Sequence, residues 1–433
     1  MNEEMYLRLR SYASNEEIIK LQEEMEKPLP HKGFILNTIR IGAKEIEKEF
    51  VSLEKDKNIP QLYRYDPSKD SPGKTIFHEG GAFYILDPSA VEAVSNLEPL
   101  NKPHLVLDMC AAPGGKTITY AILNPDSLII ANDVSHKRAE ELSSNIERLG
   151  LSNVIVTSLP EEEFLNYFPS AFDRIILDAP CSGTGMFRKE AKMEEDWSMK
   201  KVLSLLPTQA ALLDTAYALL KKGGELIYLT CSFLSEEDED QIRSFVTKHK
   251  DMKIMHPAKW KESYLEGNLK DTVHLFPSRF KGEGHFFTIL RKDGEMPSVF
   301  DNYLPKKVRY DNKLKLYINE YNNDEYGTSL YLSFLPKLYP LRLGVKLTDH
   351  NNPYAKGRYD HALSHYLTSG LELNKAEALS YFRGEELRLS QYASYKDDEY
   401  AVSYCGLCLG FVMKKGNRFK NLLPKGLRKA SLL

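Results

Sequence analysis

The chain of 433 residues is 42% hydrophobic and 27% charged, with 25 glycines and 22 prolines, which excludes disordered and fibrous classes and, at roughly 150 residues per domain, predicts two or three globular domains. Net charge is −3, yet Lys+Arg outnumber Asp+Glu by 21 to 14 from Met296 onward and trail them by 37 to 47 before it, so whole-chain charge says nothing of a nucleic-acid partner while its distribution does. The five cysteines, Cys110, Cys181, Cys231, Cys405 and Cys408, are odd in number and scattered, unlike a secreted disulfide framework, and with no apolar run near membrane-span length and no apolar segment behind the acidic Met1-Asn2-Glu3-Glu4 the expectation is a cytoplasmic protein without a membrane partner.

In chain order, a helical pattern over Tyr6 to Glu26, punctuated by Pro28 and Pro30, opens an accessory lobe over residues 1–100. From about 101 to 250, short β-branched runs alternate with helical patterns, the signature of βαβ units and a parallel, doubly wound sheet. The predicted strands are Leu105–Asp108, Ser127–Asp133, Asn153–Thr157, Asp173–Asp178 and Glu225–Thr230. Between the last two, Pro207 to Leu220 predicts a helix with proline in its first turn, ended by Lys221-Lys222-Gly223-Gly224. Beyond Arg291 the chain is irregular and holds 15 of the 25 tyrosines, which places a boundary near residues 292–312 and divides the chain at 101–295 and 296–433. The stretch from Met413 through Lys415, Arg418, Lys420, Lys425, Arg428 and Lys429 lacks acidic residues and suits either a polyanion or a solvated terminus.

The first predicted strand runs into Asp108-Met109-Cys110-Ala111-Ala112-Pro113-Gly114-Gly115-Lys116-Thr117. Small residues and two glycines after a parallel strand let a ligand approach the backbone, and the next helix offers free N–H groups there. The pattern is neither G-x-G-x-x-G nor G-x-x-x-x-G-K-[ST], which disfavours hydride and phosphate-loop chemistry. Asp133, ending the second strand, can accept from both hydroxyls of a ribose or cap the following helix. A nucleoside cofactor without a pyrophosphate suits both features, with S-adenosylmethionine the expected candidate. The fourth strand ends in Asp178-Ala179-Pro180-Cys181-Ser182-Gly183 and the fifth in Thr230-Cys231-Ser232, which puts a carboxylate and two thiols at the strand ends facing the cofactor loop.

The segments Asp108 to Thr117, Asn132 to Asn145, Asp178 to Lys189 and Tyr228 to Glu239 resemble the cofactor, ribose, "PC" and "TC" motifs of bacterial ribosomal RNA cytosine-C5 methyltransferases, closest to the RsmF (YebU) branch of the RsmB/NSUN group. Gly185-Met186-Phe187-Arg188-Lys189, Phe276-Pro277-Ser278-Arg279, Gly282-Glu283-Gly284-His285-Phe286 and Lys420-Asn421-Leu422-Leu423-Pro424-Lys425 carry the specificity of that likeness, and Leu341-Arg342-Leu343-Gly344 resembles the start of its PUA-like lobe. Ile35 replaces an arginine ahead of Asn37-Thr38, Leu86 replaces a glutamine in Tyr84-Ile85-Leu86-Asp87-Pro88-Ser89, Ser158 lacks an acid or amide near the adenine, and Thr184 stands where relatives often have glutamate.

The resemblance implies an α/β chain: a Rossmann-like S-adenosylmethionine-dependent methyltransferase domain, an N-terminal RNA-binding lobe, and a C-terminal RNA-binding region that is PUA-like from about residue 340. It implies S-adenosyl-L-methionine held by Cys110, Ala111, Ala112, Pro113, Gly114, Gly115, Lys116, Asp133, Arg138 and Asp178. Cys231 would be the nucleophile on C6 of the cytosine, and Cys181 would assist loss of the C5 proton and release of Cys231. Asp178 would donate to N3 if protonated, or bind the exocyclic amine. Small-subunit (16S) ribosomal RNA, free or in the assembled subunit, is the expected partner, with no obligate protein partner. Transfer RNA as substrate, or a non-catalytic assembly factor, are the alternatives. Three further features have structural readings: Cys405 and Cys408 as an apolar strand pair rather than a metal site, Trp197 and Trp260 as packing residues, and Glu236–Asp240 as a solvated helix N-terminus.

Overall fold

A computed structural model describes residues 3–27, 32–100, 103–295, 309–331, 338–348, 365–366 and 370–432. Pro28, Pro30 and the expected boundary at 296 lie outside them. The chain is built on a ten-stranded mixed sheet. Its parallel centre comprises β1 (Leu105–Asp108), β2 (Leu128–Asn132), β3 (Val154–Thr157), β4 (Phe172–Asp178) and β5 (Leu220–Thr230), followed by antiparallel β6 (His285–Lys292). Their spatial order is β3-β2-β1-β4-β5-β6. Alternation along each strand explains why both faces are apolar. Val106, Ile129, Val154, Ile176 and Ile227 enter one core cluster, while Leu105, Leu107, Leu128, Ile130, Ile155, Ile175 and Leu226 enter the other, as a sheet covered on both sides requires. Chain order reverses between β1 and β4, so their carboxyl ends, with those of β2 and β5, open on one crevice.

Three local expectations change. The helix before β5 begins at Met199, not at Pro207, because Ser198 caps it by accepting from the Lys201 N–H at 3.3 Å. Pro207 is then interior, and the carbonyl it cannot bond belongs to Leu203, which is 56% exposed and can reach water. Lys221 to Gly224 continue as strand, with an irregular register against β4, and Lys221 pairs with buried Asp173 at 3.2 Å. This helix, Met199–Leu219, is long and apolar enough by length and composition to cross a membrane, contrary to the expectation of no such run. It packs Leu212, Leu213, Ala216 and Leu219 into the core beside the sheet.

The first helical pattern is two helices, Glu3–Leu9 and Asn15–Met25, the second capped by Ser14. Met5, Leu9 and Leu21 pack with Trp197, Phe233 and Phe276, and Tyr12 donates to the Phe233 carbonyl at 2.7 Å. A four-stranded antiparallel sheet, Glu54–Lys55, Leu62–Tyr65, Lys32–Leu36 and Phe83–Leu86, completes the N-terminal lobe. The segment Arg342–Leu343 extends the catalytic sheet at the outer edge of β3 instead of opening a separate lobe, and so covers an edge that would otherwise present unpaired backbone. The last sheet, Leu371–Glu372, Glu399–Tyr404, Leu407–Lys415 and Arg418–Asn421, shares a core with the N-terminal lobe, where Phe34, Phe77 and Phe83 pack with Leu371, Val402, Leu407 and Leu409. Cys405 is an exposed turn residue and Cys408 a buried strand residue.

Candidate active site

The turn after β1 is held open by backbone bonds to its neighbours, Met109 N–H to the Ile176 carbonyl at 3.0 Å and Ala111 N–H to the Asn132 carbonyl at 2.7 Å. Gly114 caps the next helix, Gly115–Leu123, at φ +114, and a Cβ there would lie 2.7 Å from Leu142 Cδ1. Only glycine meets both demands. Over Gly115 the backbone is open, since an added Cβ would meet nothing closer than Leu86 Cδ1 at 3.6 Å. Leu86, where relatives carry an amide, is therefore an apolar wall beside the loop.

Asp133, 2% exposed, accepts from the Ser135 N–H at 3.0 Å and the Ala112 N–H at 3.3 Å, and pairs with Arg138 at 3.2 Å. Oδ1, which accepts only from the Ser135 N–H among the described residues, keeps a lone pair for a hydroxyl. Arg138 also reaches the Ala112 carbonyl. Sequence reading missed Glu161, whose charge bears on Cys110 and which burial and neighbouring Glu162 and Asp133 hold above its ordinary value. Its signal was lost in the acidic run Glu161–Glu163.

Beneath the loop, Asp108 is fully buried and accepts from Thr117 Oγ1 at 2.6 Å, while its other oxygen has no partner among the described residues. Burial raises its pKa to about 7, against the Thr117 hydrogen bond. A carboxyl that binds its proton more tightly folded than unfolded destabilises the fold as pH rises from its unfolded value of roughly 4 through 7. The cofactor-free Asp108→Asn variant should therefore lose the part of the pH dependence that wild type shows between pH 5 and 7.5. Thermal melts check this, and parallel curves for the two proteins contradict it.

The two cysteines meet at the ends of β4 and β5, with Cys181 Sγ 3.2 Å from Cys231 Sγ. The contact with Cys231 and burial push the Cys181 thiol well up, so it keeps its proton, and either sulfur can donate in the contact. Lys116 Nζ donates to Asp178 Oδ2 at 2.7 Å. Burial alone would lower the ammonium, but Asp178, and after it the charge of a Cys231 thiolate, hold it above its ordinary value.

The run Glu236–Asp240 is solvated only at its ends, since Asp240 is exposed and Glu236 half-buried while Glu237, Asp238 and Glu239 are all 0% exposed. The Glu237 carboxyl accepts from the Ser182 N–H (2.8 Å), Ser182 Oγ (2.5 Å), Ser232 Oγ (2.7 Å) and Gln209 Nε2 (3.2 Å), joining the two cysteine loops. Thr184 reinforces the joint by accepting from the Phe233 N–H at 2.8 Å. At Gly185 an added Cβ would lie 2.8 Å from the Gly284 carbonyl and 3.0 Å from that of Cys231, so the backbones approach more closely than a side chain allows. Asp238 accepts from Thr230 Oγ1 at 2.5 Å, and Glu239 pairs with His274 at 2.8 Å. Buried Arg188 ties this region to Glu283 at 2.7 Å and to Glu24 of the second helix at 3.1 Å. Trp197 is buried in the core beneath, and Trp260 is 38% exposed and stacked on His256.

The 16S rRNA methyltransferase RsmB/F family matches residues 94–291, and the methyltransferase RsmF PUA domain matches 368–429. Ribosomal RNA small subunit methyltransferase F of Shewanella piezotolerans is 30% identical over 93% of this chain and 92% of its own length. The chain belongs to the RsmB/F methyltransferase family. It is an S-adenosylmethionine-dependent RNA methyltransferase, α/β in its catalytic domain, with a C-terminal PUA-like domain. The Shewanella oneidensis enzyme of the same name is 29% identical over 85% of this chain and 83% of its own length. Among solved structures, a methyltransferase homolog protein from Pyrococcus horikoshii superposes with a TM-score of 0.56 at 29% identity, covering 66% of this chain and 93% of that one. NSun6 from the same organism, solved with SFG, shares the fold at TM-score 0.59 and 20% identity, over 68% of this chain and 99% of that one.

Proposed function

We propose that this RsmB/F enzyme methylates C5 of a specific cytosine in small-subunit ribosomal RNA through a covalent cysteine–C6 adduct. The single observation that carries the reading is the pair of thiols 3.2 Å apart at two strand ends, beside a lysine–carboxylate pair. One thiol suffices to attack, and a second in contact is placed to help break the adduct afterwards.

C5 of cytosine is a weak nucleophile, and addition of a thiolate to C6 makes it enamine-like. Cys231 is the attacking sulfur by the family resemblance, with the Lys116 ammonium within electrostatic reach, while the contact with Cys231 and burial push the Cys181 thiol up. S-adenosylmethionine, held by Cys110–Lys116, Asp133 and Arg138, supplies an electrophilic methyl group when bound. Asp178 accepts from the exocyclic amine, and the Lys116 charge offsets the electron density that builds on the ring. To finish, Cys181 passes its proton to the departing Cys231 sulfur and takes the C5 proton in its place, while the C5–H electron pair forms the C5=C6 bond and the C6–S bond breaks with its pair returning to Cys231.

The base must leave its stack to reach this crevice, at a cost of a few kcal/mol. Between the N-terminal lobe and the catalytic domain lies a cavity of about 410 Å³, lined by Lys32, Tyr65, Lys74 and Lys189 as well as Asp70, Asp87 and Glu283. Its cations and aromatic ring suit a flanking nucleotide. The names of the Shewanella relatives support the small subunit as target. Methyl-labelled S-adenosylmethionine offered with purified small subunits, free small-subunit RNA and bulk transfer RNA tests the substrate. Label on the small subunit or its RNA, absent in Cys231→Ala, is the expected outcome. Label confined to transfer RNA overturns the substrate, and no label on any RNA overturns the reaction.

A further inference from the structure

The segment Tyr84–Ser89 ends the N-terminal lobe, and two of its side chains reach the catalytic domain. Ser89 Oγ lies 2.7 Å from His285 Nδ1, Asp87 Oδ2 lies 3.4 Å from the same nitrogen, and Ser89 donates to Asp87. The opposite ring nitrogen, His285 Nε2, is 3.3 Å from Lys116 Nζ, the group that donates to Asp178. Ser89 is 0% and His285 3% exposed. Backbone N–H groups of Ser89 and Glu283, both at 3.0 Å, complete the surroundings of Asp87. Burial alone would raise the Asp87 carboxyl, but the contact with His285 and the hydrogen bonds from Ser89 hold it below its ordinary value. An ammonium has donors only, so His285 Nε2 must accept from Lys116, and the ring proton must then sit on Nδ1, facing Ser89 and Asp87.

We propose that His285 is a positioning residue for methyl transfer, held in its Nδ1–H form by Asp87 and Ser89 of the N-terminal lobe so that Nε2 fixes the Lys116 ammonium against Asp178 and beside Cys231. This rests on the roles given above to Asp178 and Cys231. It gives Asp87 and Ser89 a function at a distance from the reacting base: the lobe expected to meet RNA also supplies the outer end of a chain of contacts that ends on the catalytic carboxylate. Packing alone would ask only for a ring of this size at position 285. The proposal asks for a hydrogen-bond acceptor facing Lys116.

The test compares wild type with His285→Phe, His285→Gln and Asp87→Asn, measuring kcat at saturating RNA and cofactor, cofactor affinity by calorimetry, and melting temperature. His285→Phe should lose on the order of tenfold or more in kcat at saturating cofactor, as misplacement of a reacting group does. His285→Gln, whose amide oxygen can accept from Lys116, should recover most of that loss. Asp87→Asn should slow wild type several-fold and leave His285→Gln nearly unaffected, because the tautomer it controls is absent there. This pair keeps the test open if the phenylalanine variant does not fold. Equal kcat in the Phe and Gln variants, or an Asp87→Asn effect of the same size in both backgrounds, overturns the proposal. Cys231→Ala run alongside separates the levels: residual methylation in that variant overturns the reading on which the proposal rests, whereas its full loss beside an unimpaired His285→Phe overturns the role of His285 alone.

Discussion

Cys231→Ala is expected to abolish methylation and leave no covalent complex, whereas Cys181→Ala is expected to accumulate a protein–RNA adduct that survives denaturing electrophoresis. The two thiols are in contact at 3.2 Å, yet their surroundings divide them. Cys181 is pushed up by its neighbour and by burial, and Cys231 sits where the charge of Lys116 is felt. The first loss removes the attacking sulfur. The second removes the S–H that stabilises the same sulfur on departure, so the reaction stops after the methyl group has been transferred. The reverse pattern on gels, with adduct in Cys231→Ala, would show the roles to be exchanged, and adduct in neither variant would contradict the covalent route.

Glu237→Ala carries the second large effect. One buried carboxyl receives four hydrogen bonds, from Ser182 twice, Ser232 and Gln209, and so fixes the residues that directly follow both cysteines. Removing it leaves several buried donors unpaired at about 1–3 kcal/mol each, and a destabilisation of about 3 kcal/mol or more should be visible in denaturant melts. At a temperature where the variant remains folded, kcat should still be down roughly 10²-fold, because the two sulfurs lose their fixed spacing. Glu237→Gln keeps the shape but turns an amide N–H toward one of the Ser182 donors, and should fall between wild type and alanine. A variant that melts early yet turns over at the wild-type rate when folded would contradict the positioning role.

The parallel sheet was legible because β-branched runs of four to seven residues alternate with helical patterns, and the motifs at the ends of β1, β2, β4 and β5 follow from where those runs stop. Long-range partners decided what was misread. Glu236–Asp240 looks solvated as a string of acids, and nothing local reveals that Ser182, Ser232, Thr230 and His274 bury three of them. Pro207 looks like a helix start until Ser198 is seen to cap nine residues earlier. His285 and Asp87 are 198 positions apart in sequence, and their meeting depends on the packing of the N-terminal lobe against β6. Leu341-Arg342-Leu343-Gly344 reads as the start of a lobe because its partner, β3, lies far upstream. The shared core of Phe34, Phe83, Val402 and Leu409 has a practical consequence as well. Deleting everything after Lys292 would expose the N-terminal lobe, so the contribution of the basic C-terminal residues to RNA binding is better read from charge substitutions at Lys420, Lys425 and Arg428, which should flatten the salt dependence of affinity.

The most direct measurement uses small-subunit RNA carrying tritium at C5 of its cytosines. Methylation at C5 exchanges that tritium for the methyl group, so the account predicts one tritium released to water for each methyl group gained at the labelled position, with both lost together in Cys231→Ala. Methyl incorporation without tritium release would place the methyl group on another atom and contradict the proposed chemistry.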